Sequence, residues 1–232
     1  MNPSYKPAFS SLPEGTTVSL KIYATVGNQV TLIGTYKVTI SYSAATIANV
    51  AKSELLKWAK ATDEEKYSKK EEYFSIGCDG EEYKGRAWCA AFVSYCIRQG
   101  GYSDVITGSP SCVNLRKQFA NKGRYMSNYS YEEDKLLANI APGDVVFLIG
   151  GQKVLTPVGS VEPLEPHHVG IVTKVGKDAN GVWIDYIDGN TTAADGKNGI
   201  GEKKTYYIKI YKDGTYTQYN NVLGFGLFHS IK

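Results

Sequence analysis

Four cysteines and three histidines are the residues of this 232-residue chain from which nucleophilic chemistry could be built. The cysteines stand at 78, 89, 96 and 112, the histidines at 167, 168 and 229. There is no Cys-x-x-Cys pair and no histidine close to a cysteine, so the spacing of a structural zinc site is missing. A disulfide framework belongs to much smaller secreted domains. Buried small hydrophobes, or one reactive thiol, remain. Cys89 is the distinctive cysteine, because it follows a glycine-bearing loop and opens the apolar run from Trp88 to Gln99. That run reads as a helix ended by Gly100-Gly101 in the manner of a glycine C-cap. Orphan N–H groups and the positive end of the helix dipole favour a thiolate in the first turn. A buried structural cysteine is the competing reading. Cys96, seven residues later beside Phe92 and Val93, is expected to point into the core, where a thiol is inert. Nothing marks Cys78 or Cys112 as reactive.

A cysteine nucleophile needs a base, and histidine is the usual one near neutral pH. His229 is expected on the surface near the C-terminus. His167-His168 opens a predicted strand, and neighbouring strand residues face opposite sides, so only one of them can face the helix. Gly170 shares the parity of His168 and would leave space beside it for a close backbone or substrate approach. A working imidazole also needs an orienting partner. The next predicted strand ends in Asp188-Gly189-Asn190, and Asp188 and Asn190, two apart, can point to one face. Either could serve the imidazole. A plain turn at 188–190 is the competing reading.

Several elements must position these groups. Residues 12–42 alternate with period two: Val18, Leu20 and Ile22, then Val30, Leu32, Tyr36, Val38 and Ile40, with Val26-Gly27-Asn28-Gln29 between them. The pattern predicts a hairpin with one buried and one wet face. Ile47, Ala51, Leu55 and Trp58 predict a helix over about 43–60. Residues 62–87 read as a short helix and a long surface loop. A helix follows at about 111–121 with Val113, Leu115 and Phe119 inward. Strands are predicted at 145–149, 168–175, 182–187, 206–211 and 222–228, around a Gly/Pro-rich excursion at 150–166. Helices followed by antiparallel strands make an α+β order. With 42% hydrophobic residues and 12% aromatic, the chain is long enough to bury a core unaided. No apolar run approaches the ~20 residues that span a bilayer, and no membrane insertion is expected. A net charge of +3 is too small to suggest nucleic acid.

Four ordered motifs resemble those of CHAP domains, the cysteine- and histidine-dependent amidohydrolases and peptidases of the NlpC/P60, papain-like group. They are Trp88-Cys89-Ala90-Ala91-Phe92-Val93, Pro142-Gly143-Asp144-Val145-Val146, His168-Val169-Gly170-Ile171-Val172 and Asp188-Gly189-Asn190-Thr191. Leu223-Gly224-Phe225-Gly226 is similar to the family's closing strand. The resemblance implies an α+β, papain-like fold over residues 43–232, with N-terminal helices packed on a small antiparallel β-sheet. Residues 1–42 would be an extra N-terminal β-hairpin, an appendage or linker. The resemblance also implies hydrolysis of peptidoglycan amide bonds, with Cys89 as nucleophile and His168 as base. Its third position is usually Glu; here Asp188 is one methylene shorter, so the contact could pass to Asn190, which matches the family's asparagine. Trp88 would wall the cleft as a substrate contact, with plain packing as its competing reading. Some CHAP lysins carry an acidic calcium loop before the nucleophile and an Asp two residues after it. Here Ala91 and Arg86 stand near those places, and Asp79, Glu81 and Glu82 read as solvated loop charges. No metal and no cofactor are expected.

The expected partner is therefore bacterial peptidoglycan, cut in the stem peptide, in the cross-bridge or between muramic acid and L-alanine. A papain-like amidase acting on a non-wall peptide conjugate, or a degenerate cell-wall binding module, are the alternatives. Met1 to Ser11 lack a basic start followed by an apolar stretch, so no signal peptide is visible. That suits a bacteriolytic phage endolysin, a virion-associated enzyme or a truncated chain. Residues 1–42 could dock to a phage tail or virion protein.

Overall fold

A computed structural model describes residues 17–39, 44–127, 133–149, 165–206, 208–210, 216–218 and 221–228. His229 and most of the 150–166 excursion lie outside the described residues. The chain divides into two compact units, Met1–Ser43 and Ala44–Lys232.

The first unit holds the expected hairpin, β1 (Thr17–Val26) paired antiparallel with β2 (Gln29–Thr39), and Gly27 turns it at φ +60°. Ile22 pairs with Gly34 but Tyr23 pairs with Leu32, so Ile33 is an extra residue in β2. A bulge of this kind exchanges the faces on which later side chains fall. Among the described side chains of the hairpin, Ile22, Tyr23, Leu32, Ile33 and Tyr36 are all exposed, where the alternation predicts one buried face. A two-stranded sheet has no second layer of its own with which to cover them.

The second unit is α+β. Its helices are α1 (Ala45–Lys60), α2 (Asp63–Gly77), α3 (Cys89–Gln99), α4 (Cys112–Asn121) and α5 (Glu133–Asn139). Its main sheet joins β3 (Tyr125–Ser127), β4 (Val145–Leu148), β5 (His168–Asp178), β6 (Gly181–Thr192), β7 (Asn198–Tyr206) and β10 (Val222–Gly226). Their order is β3-β10-β4-β5-β6-β7, with every neighbouring pair antiparallel. A separate pair, β8 (Ile208–Ile210) and β9 (Tyr216–Gln218), follows β7. The strand expected at 206–211 is thus the end of β7 plus β8. Most of β7 escapes the alternation rule because it is a polar edge strand. Its residues Gly199 and Gly201 give room to Trp58 and Thr191 where side chains would collide.

The helices explain how the sheet is covered. The short helix expected after residue 62 runs fifteen residues instead. Thr62 and Glu65 form a reciprocal capping box at its start, and Tyr73 and Phe74 are buried at its end. A Cβ on Gly77 would stand 2.7 Å from the Ala91 carbonyl oxygen, so the end of α2 lies directly on the α3 backbone. Glu54 in α1, 1% exposed, accepts from Tyr73 at 3.0 Å and from Lys57 at 2.7 Å, tying α2 to α1. The α3 C-terminus is a Schellman turn: Tyr102 N–H reaches the Ile97 carbonyl at 3.0 Å, and Gly101 sits at φ +91°. In α4 the inward residues are Cys112, Leu115 and Phe119, and the expected Val113 is only half-buried. Ser111 caps this helix by accepting from Asn114 N–H. The helix α3 packs on β5 and β6, α1 on β5 and β7, and α4 on β10 and β3. The opposite face of the sheet is buried too, by a cluster in which Leu136 of α5 and Ile140 meet Val146, Val172, Ile184 and Phe225.

The Pro142-Gly143-Asp144 motif has a structural cause. The Asp144 carboxylate, fully buried, accepts from Ala141 N–H at 2.8 Å and Phe228 N–H at 3.1 Å, fastening the turn into β4 to the end of β10. Gly143 sits at φ +102°, and a Cβ there would lie 1.7 Å from the Ala44 carbonyl oxygen. Strain and collision act together in Gly143→Ala, so the expected loss is about 3 kcal/mol or more. Urea unfolding monitored by circular dichroism measures it, and a loss under about 1 kcal/mol would contradict this packing.

Candidate active site

Cys89, His168 and Asp188 meet where α3 begins, β5 begins and β6 nears its end. Cys89 is the first residue of α3, where its own N–H is one of the helix's orphan donors. Helix α3 is held against the sheet through Trp88, which stacks on Trp58 with ring centres 5.1 Å apart and on Tyr73 at 5.9 Å. Gly189 makes the approach possible: a Cβ there would lie 2.5 Å from the Trp88 ring and 2.9 Å from Phe92 Cβ. Trp88 is 1% exposed and donates from Nε1 to Asn198 at 3.2 Å. Its indole is buried packing that seats the residue preceding Cys89.

His168 is the first residue of β5, and its Nε2 lies 2.7 Å from Asp188 Oδ2. Asp188 stands opposite Gly170 in the β5–β6 ladder, so it reaches His168 diagonally along one face. Gly170 serves this contact. The volume its side chain would fill is taken by the Tyr186 ring at 2.7 Å and Asp188 Cβ at 3.4 Å, leaving no space there for substrate. His167, just before β5, is exposed. The turn reading of 188–190 is replaced by continuous strand, but with a bulge. Gly189 pairs with Ile200 and Thr191 with Gly199, and Asn190 between them takes φ +57°. The bulge breaks the alternation that would put Asp188 and Asn190 on one face. The Asn190 side chain accepts instead from Asn198 at 3.0 Å. Asp188 is fully buried and also lies 3.4 Å from Lys203 Nζ, which bonds Thr191 as well.

A second cysteine completes the site. Cys112 Sγ is 3.5 Å from Cys89 Sγ, and both are buried. Sequence reasoning passed over Cys112, although the signal was available: Ser111 is a helix-capping residue, so Cys112, like Cys89, starts a helix. Lys203 and Asn198 were missed because the polar edge strand was missed.

The surroundings divide the thiols sharply. The Cys89 thiol is drawn down to about 5, chiefly by the hydrogen bond with Cys112. Burial opposes this, while the hydrogen bond and charge of His168 and the Ala90 N–H add to it. Cys112 moves the opposite way, because it is the donor of that bond and is itself buried. Burial works against a charged His168, but its bonds to Asp188 and Cys89 prevail and push it up to about 9. Since Nε2 faces Asp188, Nδ1 is the nitrogen left for Cys89. Between these two values the resting pair is thiolate and imidazolium. Burial raises Cys78 to about 12 and Cys96 well above the ordinary thiol range, which favours the neutral thiol at both. Asp79, Glu81 and Glu82 are each paired with a basic side chain, Arg98, Arg86 and Lys84 respectively. Among the described residues no three metal-binding side chains converge.

The rate of Cys89 alkylation by iodoacetamide is expected to rise with pH on a limb near 5 and to be flat through neutrality. In His168→Ala the limb moves upward, and in Cys112→Ala it moves further, towards the ordinary thiol value of about 8.5, because the Cys112 bond is the larger cause. Peptide mapping of the alkylated chain follows it, and a wild-type limb already near the ordinary value would contradict the ion pair.

Residues 80–190 match the family model of the CHAP domain, a span that contains Cys89, His168, Asp188 and Asn190. Neither the curated proteins nor the solved structures contain a significant match.

Proposed function

We propose that this chain, whose residues 80–190 match the CHAP domain, a family of amidases and peptidases that typically act on peptidoglycan, is a thiol-dependent peptidoglycan hydrolase. The reading makes it a cell-wall endopeptidase or an N-acetylmuramoyl-L-alanine amidase. The observation that carries it is the convergence of Cys89, His168 and Asp188 on one buried, charge-separated contact. A binding module with a degenerate site would have no reason to keep that arrangement.

The chemistry is acyl transfer in two steps. Cys89 sulfur attacks the scissile carbonyl carbon, and the carbonyl oxygen takes up negative charge. The Cys89 N–H at the start of α3 supports that oxygen. His168, already protonated, gives its proton to the leaving amine as the C–N bond breaks, leaving a thioester on Cys89. Neutral His168 then takes a proton from water, the water oxygen attacks the thioester, and the carboxylic acid departs as Cys89 returns to thiolate. Asp188 holds the imidazole ring throughout and stabilises its positive charge.

Purified peptidoglycan digested with this chain is expected to yield new free amino termini, with fragment masses that name the bond. Cys89→Ala should lower the rate by at least about 10³-fold while leaving the fold intact. Mass spectrometry of the digests decides it. Full activity in Cys89→Ala, or no cleavage of any wall chemotype by the folded chain, would reject the proposal.

A further inference from the structure

Two buried sulfurs 3.5 Å apart are more than the hydrolytic reaction requires, since Cys89 and His168 supply its nucleophile and its proton. The contact is also built with care. Cys89 and Cys112 are the first residues of α3 and α4. The connection between those helices is pinned from both sides. Ser94 Oγ bonds the carbonyl of Ser109 at 3.1 Å and its N–H at 2.9 Å, and Gln118 Nε2 bonds the Gly108 carbonyl at 2.7 Å. Gly108, at φ +92°, lets this corner close on the end of α2, where a Cβ would stand 2.2 Å from the Gly77 carbonyl oxygen. The two sulfurs are therefore fixed neighbours.

We propose that Cys89 and Cys112 form an oxidative modification site, at which hydrogen peroxide or a small hydroperoxide converts the pair into a reversible disulfide. A disulfide bond is about 2.05 Å long, so the sulfurs must close by roughly 1.5 Å. That closure is to come from rotation about the two Cα–Cβ bonds. The Cys89 thiolate attacks one peroxide oxygen, the O–O bond breaks, and hydroxide leaves, giving a sulfenic acid. Cys89 sulfur is oxidised by two electrons and the peroxide is reduced. Cys112 sulfur then attacks Cys89 sulfur, the S–O bond breaks, and the departing hydroxide takes the Cys112 proton as water. Cys112 is the resolving thiol. It protects the nucleophile from irreversible oxidation and switches the site off until a reductant returns it. Cys78 and Cys96 do not compete, because both are buried and held as neutral thiols. The loss of activity rests on Cys89 being the nucleophile of the proposed hydrolase; the disulfide itself does not.

The test treats the full reduced chain with hydrogen peroxide at neutral pH, blocks remaining thiols, and reads intact mass and a peptide map. The expected product is about 2 Da lighter before blocking, contains a peptide linking Cys89 to Cys112, and returns to two thiols with dithiothreitol. In Cys112→Ser, checked for folding by circular dichroism, Cys89 should pass to sulfinic acid about ten-fold faster than in the wild type, beyond rescue by dithiothreitol. The proposal is overturned if the intact chain yields no linked peptide. If Cys112→Ser does not fold, the linked peptide in the wild type decides alone. A linked peptide in a chain that cleaves no wall would reject the hydrolase reading and leave this one standing. Wall cleavage without a linked peptide would do the reverse.

Discussion

The 2.7 Å contact between His168 Nε2 and Asp188 Oδ2 is the interaction around which the second unit is arranged. A fully buried carboxylate is costly unless opposite charge and hydrogen bonds compensate it. Asp188 meets that requirement at one oxygen, Oδ2, which bonds His168 and lies 3.4 Å from Lys203 Nζ, whereas its buried Oδ1 has no hydrogen-bond partner among the described residues. Keeping His168 charged in turn adds to the larger effect of the Cys112 hydrogen bond in stabilising a thiolate at Cys89. Side-chain length matters here. An aspartate reaches the ring only because the facing residue on β5 is Gly170, which lets β6 side chains lean across the strand pair.

The position of Cys89 depends on a different constraint, the close seating of α3 on β6. Gly189 has no side chain where the Trp88 ring lies, and Trp88 is clamped between Trp58 of α1 and Tyr73 of α2. Three helices thus fix the residue preceding Cys89. The Asn190 bulge directs that side chain away from His168 and into a chain of amide contacts through Asn198 to Trp88. The asparagine therefore supports the helix start rather than the imidazole. Packing and charge separation converge on the same few residues, and the glycines of β5 and β6 are what permit both.

Much of this was legible in the sequence. Cys89 at a helix start, His168 at a strand start and Asp188 on the next strand follow from periodicity, from glycine and asparagine turn signals and from the parity of strand residues. The α1, α3 and α4 helices and most of β4, β5 and β10 follow in the same way. What was not legible has physical causes. The length of α2 was hidden because its burial is confined to Tyr73 and Phe74 near its end, although the Thr62–Glu65 capping box was readable. Strand β7 is a polar edge whose glycines receive side chains from other elements, which no alternation reveals. The Ile33 and Asn190 bulges each shift a face by one residue, and only pairing registers show them. Cys112 comes to Cys89 through the α3–α4 connection, a tertiary contact that spacing along the chain does not encode.

The account stands most directly on the charge state of His168 in the resting protein. Nitrogen-15 NMR of the chain labelled in histidine, with His168→Gln used for assignment, reports it at neutral pH. The account predicts that both ring nitrogens of His168 carry protons at pH 7 and that the ring loses one only near 9. A neutral single tautomer at pH 7, titrating near the unperturbed histidine value of about 6.5, would contradict the ion pair and the site built on it.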